Sequence, residues 1–303
     1  MTSPSTGARI ALLADRGVVR VAGEDASRLL QGVITADMEL LSAQPAIHAA
    51  LLTPQGKILF DFFVLKAPGG FLLETAADKA ADLAKRLTMY KLRAKADIQD
   101  RSAAYRAFAA WGSAPANVGA ASETHIFPDP RLGALGWRGL TGARLVSGIA
   151  SAIGGLDASP EDYHAHRIAL GVPEGGKDYA FGDTFPHEAD LDQLNGVSFS
   201  KGCFVGQEVV SRMQNRASVR KRVVPVAAEA TLTPGVEVRA CAAVIGTVGS
   251  VSGTQGLALV RLDRAAEAAA KGDRLMAGGV AITLRKPQWA TFDLAPAATA
   301  GAS

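Results

Sequence analysis

The apolar positions of the chain recur with two periods, and the switches between those periods predict the elements. Residues 9–13 and 17–21 alternate as two short strands around Ala14-Asp15-Arg16, which predicts a hairpin. Residues 46–53 and 57–66 read as two more strands joined by Pro54-Gln55-Gly56, a turn with proline at its start. In the second of these, apolar residues occupy both parities and Asp61 is the one charge between Lys57 and Lys66. Strands follow at 71–75 and within 96–111. Helical spacing appears at 24–32, with Asp25 as cap and Ala26, Leu29 and Leu30 as the apolar face. It returns at 78–90, where Ala80, Leu83, Ala84, Leu87 and Tyr90 share a face, and at 160–170. Residues 189–194 form a short amphipathic stretch. Residues 113–142 are rich in Pro and Gly and read as loop.

Beyond Arg222 the pattern changes to short β runs at 223–226, 236–239, 244–251, 257–262 and 280–284, separated by Gly and Pro. That spacing predicts a small antiparallel barrel, interrupted by an Ala-rich helix at 263–271. Residues 1–8 and the tail from 291 are small, polar or low in complexity, and predict loose ends.

One stretch concentrates chemically able side chains. Residues 200–216 hold a cysteine, two glycines, three amides, a carboxylate and two arginines. Val205, Val209 and Met213 recur every four residues, which predicts a helix with Lys201-Gly202-Cys203 at its start. Free N–H groups and the positive dipole end at a helix start favour a thiolate, and Lys201 adds a cation. The alternative is that Cys203 is a small buried hydrophobe, as lone cysteines commonly are. Arg212, Arg216 and Arg220 are four apart and Lys221-Arg222 follow. This stripe is either a solvated face or a partner for carboxylates or phosphates.

Composition bounds the rest. The 303 residues are 48% hydrophobic and 20% charged, with a net charge of +3. This is a soluble globular composition, and so small a charge does not imply nucleic-acid or membrane binding. Two distant cysteines make no disulfide framework and, with five scattered histidines, no zinc spacing. Cys241, in the run RACAAV, is expected in the barrel core. No 18-residue apolar stretch and no secretory pattern is visible, which predicts a cytoplasmic protein with no membrane contact.

The word Lys201-Gly202-Cys203-Phe204-x-Gly206-Gln207-Glu208 resembles the signature of the YgfZ family of folate-binding proteins. These are relatives of the T-protein (aminomethyltransferase) of glycine cleavage and bacterial counterparts of a mitochondrial iron–sulfur assembly factor. Three further blocks resemble the same family. They are Val21-x-Gly23-x-Asp25-Ala26 with Leu30-Gln31-Gly32-x-x-Thr35-x-Asp37, then Thr53-Pro54-Gln55-Gly56-Lys57 with Asp61, then Gly171-Val172-Pro173 with Pro186-His187-Glu188-x-x-Leu191-Asp192.

The resemblance implies an α+β fold: a ring-like folate-binding body of the T-protein type over 1–222, in two interleaved subdomains. A C-terminal antiparallel β-barrel at 223–290 and a flexible tail at 291–303 complete it. It implies tetrahydrofolate or another reduced folate as cofactor, held through its pterin by Glu188, with Arg212, Lys201, Gln207 and Glu208 assisting. A carboxylate can accept two adjacent pterin N–H groups in one plane; the alternative is that Glu188 caps the stretch that follows it. Cys203 is implied as the reactive group. Asp61 is read as a satisfied strand residue rather than the transferase aspartate. The implied role is assembly or repair of iron–sulfur clusters, with client enzymes or assembly proteins as partners. The alternatives are a folate-dependent aminomethyl- or methyltransferase, or a tRNA-modification accessory with a weak tRNA contact.

Overall fold

The computed structural model describes residues 7–115, 123–215 and 219–294. The chain divides into two compact units, Met1–Tyr163 with Leu194–Gln207, and His164–Gln193 with Glu208–Ser303. The first unit contains strands β1 (Ala8–Leu13), β2 (Arg16–Ala22), β3 (Ala46–Leu52), β4 (Ile58–Ala67), β5 (Gly70–Ala76), β6 (Asp97–Asp100), β7 (Tyr105–Trp111), β8 (Thr124–Pro128), β9 (Trp137–Gly142) and β10 (Gly155–Asp157). Its helices are α1 (Ala26–Val33), α2 (Ala80–Lys91) and α3 (Ile149–Ala152); α4 (Pro160–Ala169) begins in it. The strands form two five-stranded sheets, ordered β3-β4-β5-β2-β6 and β10-β1-β7-β9-β8.

The doubled apolar parity of β4 has a direct cause: its sheet is buried on both faces. Phe60, Phe62 and Val64 enter a core with Leu29, Leu30 and Val33 of α1 and Leu83 and Leu87 of α2. The intervening Phe63 and Leu65 enter a second core with Leu13 of β1, Trp111 of β7 and Leu140 of β9. The same partition divides Val19 and Val21 from Val18, and Leu73 from Leu72. It also corrects the predicted hairpin. β1 and β2 form as strands, but β1 pairs with β7 and β10 while β2 pairs with β5 and β6. Leu13 and Val18 both point into the second core, so Ala14-Asp15 carries the chain from one sheet to the other.

A buried ionic cluster adjoins that second core. The fully buried Glu74 carboxylate on β5 pairs with Arg138 of β9 and accepts from Arg16 Nε at 3.0 Å. Arg138 and Arg131 both donate to the Tyr163 hydroxyl, at 2.9 and 3.0 Å. Their guanidiniums lie 4.8 and 4.9 Å from the Phe63 ring centroid, within cation–π range. Arg131 pairs with Asp129 at 2.7 Å; burial would raise the Asp129 pKa, but the guanidinium overcomes it and holds the carboxyl below its ordinary value. Strands β8 and β9 lie in the stretch read as loop, because Arg138, Gly139 and Gly142 break the apolar pattern that a strand advertises. Part of that stretch, 116–122, lies outside the described residues.

The second unit holds α5 (Gln207–Asn215) apart from its first residue. It also contains β11 (Lys221–Ala228), β12 (Glu237–Ala240), β13 (Ala243–Ser252), β14 (Gln255–Arg261), α6 (Leu262–Ala270), β15 (Leu275–Ala277) and β16 (Val280–Leu284). The six strands close in the order β11-β14-β13-β12-β15-β16, and β16 pairs back to β11. Closure leaves no unpaired edge strand. Val224, Val238, Val248, Val260 and Ile282 fill its core, and α6 packs on them through Leu262, Ala265 and Ala268 at helical spacing.

Two expectations in this unit are corrected. Cys241 is exposed, in the turn between β12 and β13 at φ 51, rather than in the barrel core. Residues 189–194 form consecutive turns, not a helical stretch, because Asp190 takes φ 60 and breaks the helical path. The tail beyond Leu294 and residues 1–6 lie outside the described residues. Among those described, no helix is long and apolar enough to cross a membrane.

Replacing Arg138 by Met leaves Glu74 buried with Arg16 as its one cationic partner among the described residues. The variant is expected to lose about 3 kcal/mol of unfolding free energy in urea titration. An unchanged midpoint would show that the cluster contributes nothing.

Candidate functional site

The predicted helix start lies later than its periodicity implied. α5 begins at Gln207, four residues after Cys203, because Gly206 takes φ 81 and no helix passes through it. Cys203 sits instead on a short irregular segment of the first unit, exposed together with Gly202. On either side the chain is buried, at Lys201 and at Phe204. The segment therefore presents one thiol between two anchors.

The anchors come from the blocks that the sequence singled out. Lys201 is 7% exposed. Its ammonium donates to the carbonyls of Gln31, Ile34 and Ala36 at 2.7, 2.8 and 2.8 Å. These carbonyls belong to the last turn of α1 and the chain just beyond it, which an α-helix cannot satisfy by itself. Burial pulls the Lys201 pKa down to about 8, with Asp37 opposing. Thr35 adds two ties to the approach of the segment: its hydroxyl donates to Gly196 O at 2.6 Å and its carbonyl accepts from Ser198 N at 2.9 Å.

On the far side, Gly206 lies against the Thr53-Pro54-Gln55-Gly56 turn. A Cβ there would meet Thr53 O at 2.6 Å and Gly56 Cα at 3.0 Å. Val205 packs on the core beneath, and Gln207 Oε1 accepts from Phe204 N at 3.3 Å. Three blocks far apart in sequence thus meet under Cys203. Lys201 and Gln207 act here as supports of the segment, and the Lys201 ammonium also lies 5.4 Å from the Phe204 ring centroid.

The remaining predicted residues belong to the second unit. Glu208 and Arg212 are exposed and pair with each other at 2.7 Å, four residues apart on α5. Glu188 is half-buried and its Oε2 accepts from Phe185 N at 2.9 Å. It lines a cavity of about 560 Å³ with Met213, Arg220, Lys221 and Arg261. Arg212 is not among the residues lining that cavity, and Arg216 lies outside the described residues.

The position of Glu188 is set by β11. Val223 N donates to Glu188 O at 3.0 Å. Arg222 donates to His187 O at 2.8 Å and to the carboxylates of Asp190 and Asp192 at 2.9 Å each. Burial pushes the Asp190 carboxyl well above its ordinary pKa, and Arg222 opposes that rise. The pairing of Arg222 with both acids was not legible in the sequence; the only available signal was two carboxylates two residues apart beside a turn. Asp61 is buried on β4, its carbonyl accepting from the Thr75 hydroxyl at 2.9 Å. Among the described residues, no group of three or more His, Cys, Asp or Glu could hold a metal ion.

This geometry can be set beside known proteins. Residues 220–292 match the CAF17 C-terminal beta-barrel domain. The fold is that of the glycine cleavage system aminomethyltransferase T from Bartonella henselae, with a TM-score of 0.75, 17% identity, and coverage of 94% of this chain and 87% of that one. The molecule is thus an α+β protein with the aminomethyltransferase fold and a closed antiparallel C-terminal barrel.

Its relatives are more specific. The human mitochondrial iron–sulfur cluster assembly factor IBA57 is 35% identical over 285 residues, covering 85% of this chain and 79% of the relative. The Mycosarcoma maydis homolog is 34% identical over 242 residues, covering 75% of this chain and 59% of the relative. The chain belongs to the IBA57 family of iron–sulfur cluster assembly factors. It spans 59% and 54% of the length of the Mycosarcoma maydis and Neurospora crassa members.

Gly206→Ala forces a side chain into the left-handed region and against the Thr53 carbonyl. It is expected to cost about 2 kcal/mol or more in urea unfolding. Gly202→Ala meets nothing within 4 Å and is expected to cost under about 0.5 kcal/mol. Equal costs for the two would contradict the anchoring role of Gly206.

Proposed function

We propose that this chain is a tetrahydrofolate-binding accessory protein, of the YgfZ kind within its family, that assembles or repairs iron–sulfur clusters in client enzymes. The observation that carries the reading is the exposed thiol of Cys203, fixed between the buried Lys201 and Phe204 in a chain whose relatives are named as iron–sulfur cluster assembly factors. A cluster takes four protein ligands, so one thiol serves as a transient ligand or sulfur contact rather than as a permanent site. The partners are client iron–sulfur enzymes or assembly proteins.

The reduced folate is assigned to the cavity beside Glu188. Two features support the fit: a carboxylate that can accept pterin N–H groups, and Arg220 and Lys221 nearby for the glutamate tail. Folate supplies one-carbon chemistry when bound; Glu188 orients the ring and the cations hold the tail. Two free cysteines fit a reducing compartment, and we place this chain in the cytoplasm, whereas the relatives are named mitochondrial.

Calorimetric titration with a stable reduced folate tests the cofactor assignment. Micromolar binding is expected for the wild type, weakened at least about tenfold in Glu188→Ala, the loss of one charge-assisted contact. No heat of binding to the wild type would remove folate from the account, and equal binding by the variant would remove Glu188.

A further inference from the structure

The end of α2 combines strain, exposure and charge. The helix is anchored by Ala80, Leu83 and Leu87, which are buried, and by Ala84 and Tyr90, which pack partly buried on the same core. Two apolar residues at this end face away from that core. Met89 is 62% exposed and Leu92 is 87% exposed. Leu92 closes the helix at φ 48 and ψ −109, a positive-φ conformation that costs backbone strain for any residue with a Cβ. Glycine, with no Cβ, would adopt this backbone freely. A leucine here is therefore strained and, at the same time, buries almost none of its side chain within the protein.

The sequence of this helix end is cationic. Residues 85–95 contain Lys85, Arg86, Lys91, Arg93 and Lys95 and no Asp or Glu. Lys95 pairs with Glu24 at 2.9 Å. Lys85, Arg86, Lys91 and Arg93 have no ion-pair partner among the described residues. Lys85 and Arg86 precede Met89 by four and three residues and so share its side of the helix.

We propose that this end of α2 is a docking surface for an acidic partner protein, which receives Leu92 and Met89 in an apolar pocket and pairs its carboxylates with the flanking Lys and Arg residues. An apolar anchor within a charged rim is the usual anatomy of a protein-binding hot spot. Two apolar side chains are too few to bury a helix in a lipid interface, because the long apolar face of α2 is already spent on the core. Tyr90, the one aromatic residue in this stretch, is packed partly buried on that core and offers no open platform for base stacking.

Short random peptides displayed on phage, panned against the full chain, stand in for the partner's docking segment. The enriched peptides are expected to place two or more Asp or Glu beside a bulky apolar residue and to bind more weakly as salt rises. Binding should fall about tenfold in Leu92→Gly and in Arg93→Glu. Leu92→Gly also relieves the strain, so its thermal midpoint should be no lower than that of the wild type, which separates lost docking from lost folding. Met89→Ser supplies an independent variant. Enrichment without acidic bias, or binding indifferent to these substitutions, overturns the proposal. So does tighter binding of phosphatidylglycerol vesicles or polyuridine to this face, lost in the same variants, which would assign it to a membrane or to RNA.

Discussion

The presentation of Cys203 depends on one buried cation. The Lys201 ammonium reaches three carbonyls at the end of α1, 170 residues away in sequence for the farthest of them. The dependence runs both ways. Without the lysine, carbonyls that an α-helix leaves open at its C-terminal end would be buried unpaired. Without the carbonyls, the ammonium would be buried with Asp37 as its nearby charge. Each side therefore holds the other, and the segment between Lys201 and Phe204 is carried outward with its thiol exposed. Gly206 completes the arrangement by letting the chain pass against the Thr53 turn.

The platform under that segment is rigid for a reason written in β4. A strand with apolar residues on both faces must be covered on both, and the first unit does this with helices on one side and a second sheet on the other. The β3–β4 turn that meets Gly206 and the α1 end that meets Lys201 both grow out of the helix-side core. The site residues thus rest on well-packed elements, while the exposed thiol itself makes no demand on packing.

The regular parts of this fold were legible because their cause is local. The helix at α2, the β3–β4 pair with its turn, and the barrel strands other than the three-residue β15 follow from periodicity and from Gly and Pro punctuation. What the sequence hid had distant causes. Strand β9 escaped notice because its buried Arg138 becomes intelligible only beside Glu74, 64 residues away. The hairpin expected of β1 and β2 failed because pairing is decided by which core Leu13 and Val18 share, not by their proximity in sequence. The cysteine word stood out in the sequence, but what its residues touch did not. Lys201 reads as a cation beside a thiol until its carbonyl partners are known, and Gln207 reads as a ligand group until it is seen accepting from Phe204. Cys241 shows the converse error: an alternating run around a cysteine predicts core, yet one residue at positive φ turns it out to solvent.

The central claim is that the fold exists to present Cys203, and it is tested most directly by maturation of a client [4Fe–4S] enzyme in the presence of Cys203→Ser. The exchange removes one exposed sulfur from a segment held by its neighbours, so thermal unfolding should be unchanged. Client activity should fall to the level seen with no protein added. Full client activity with the serine variant would contradict the account and leave the anchored segment as structure without chemistry.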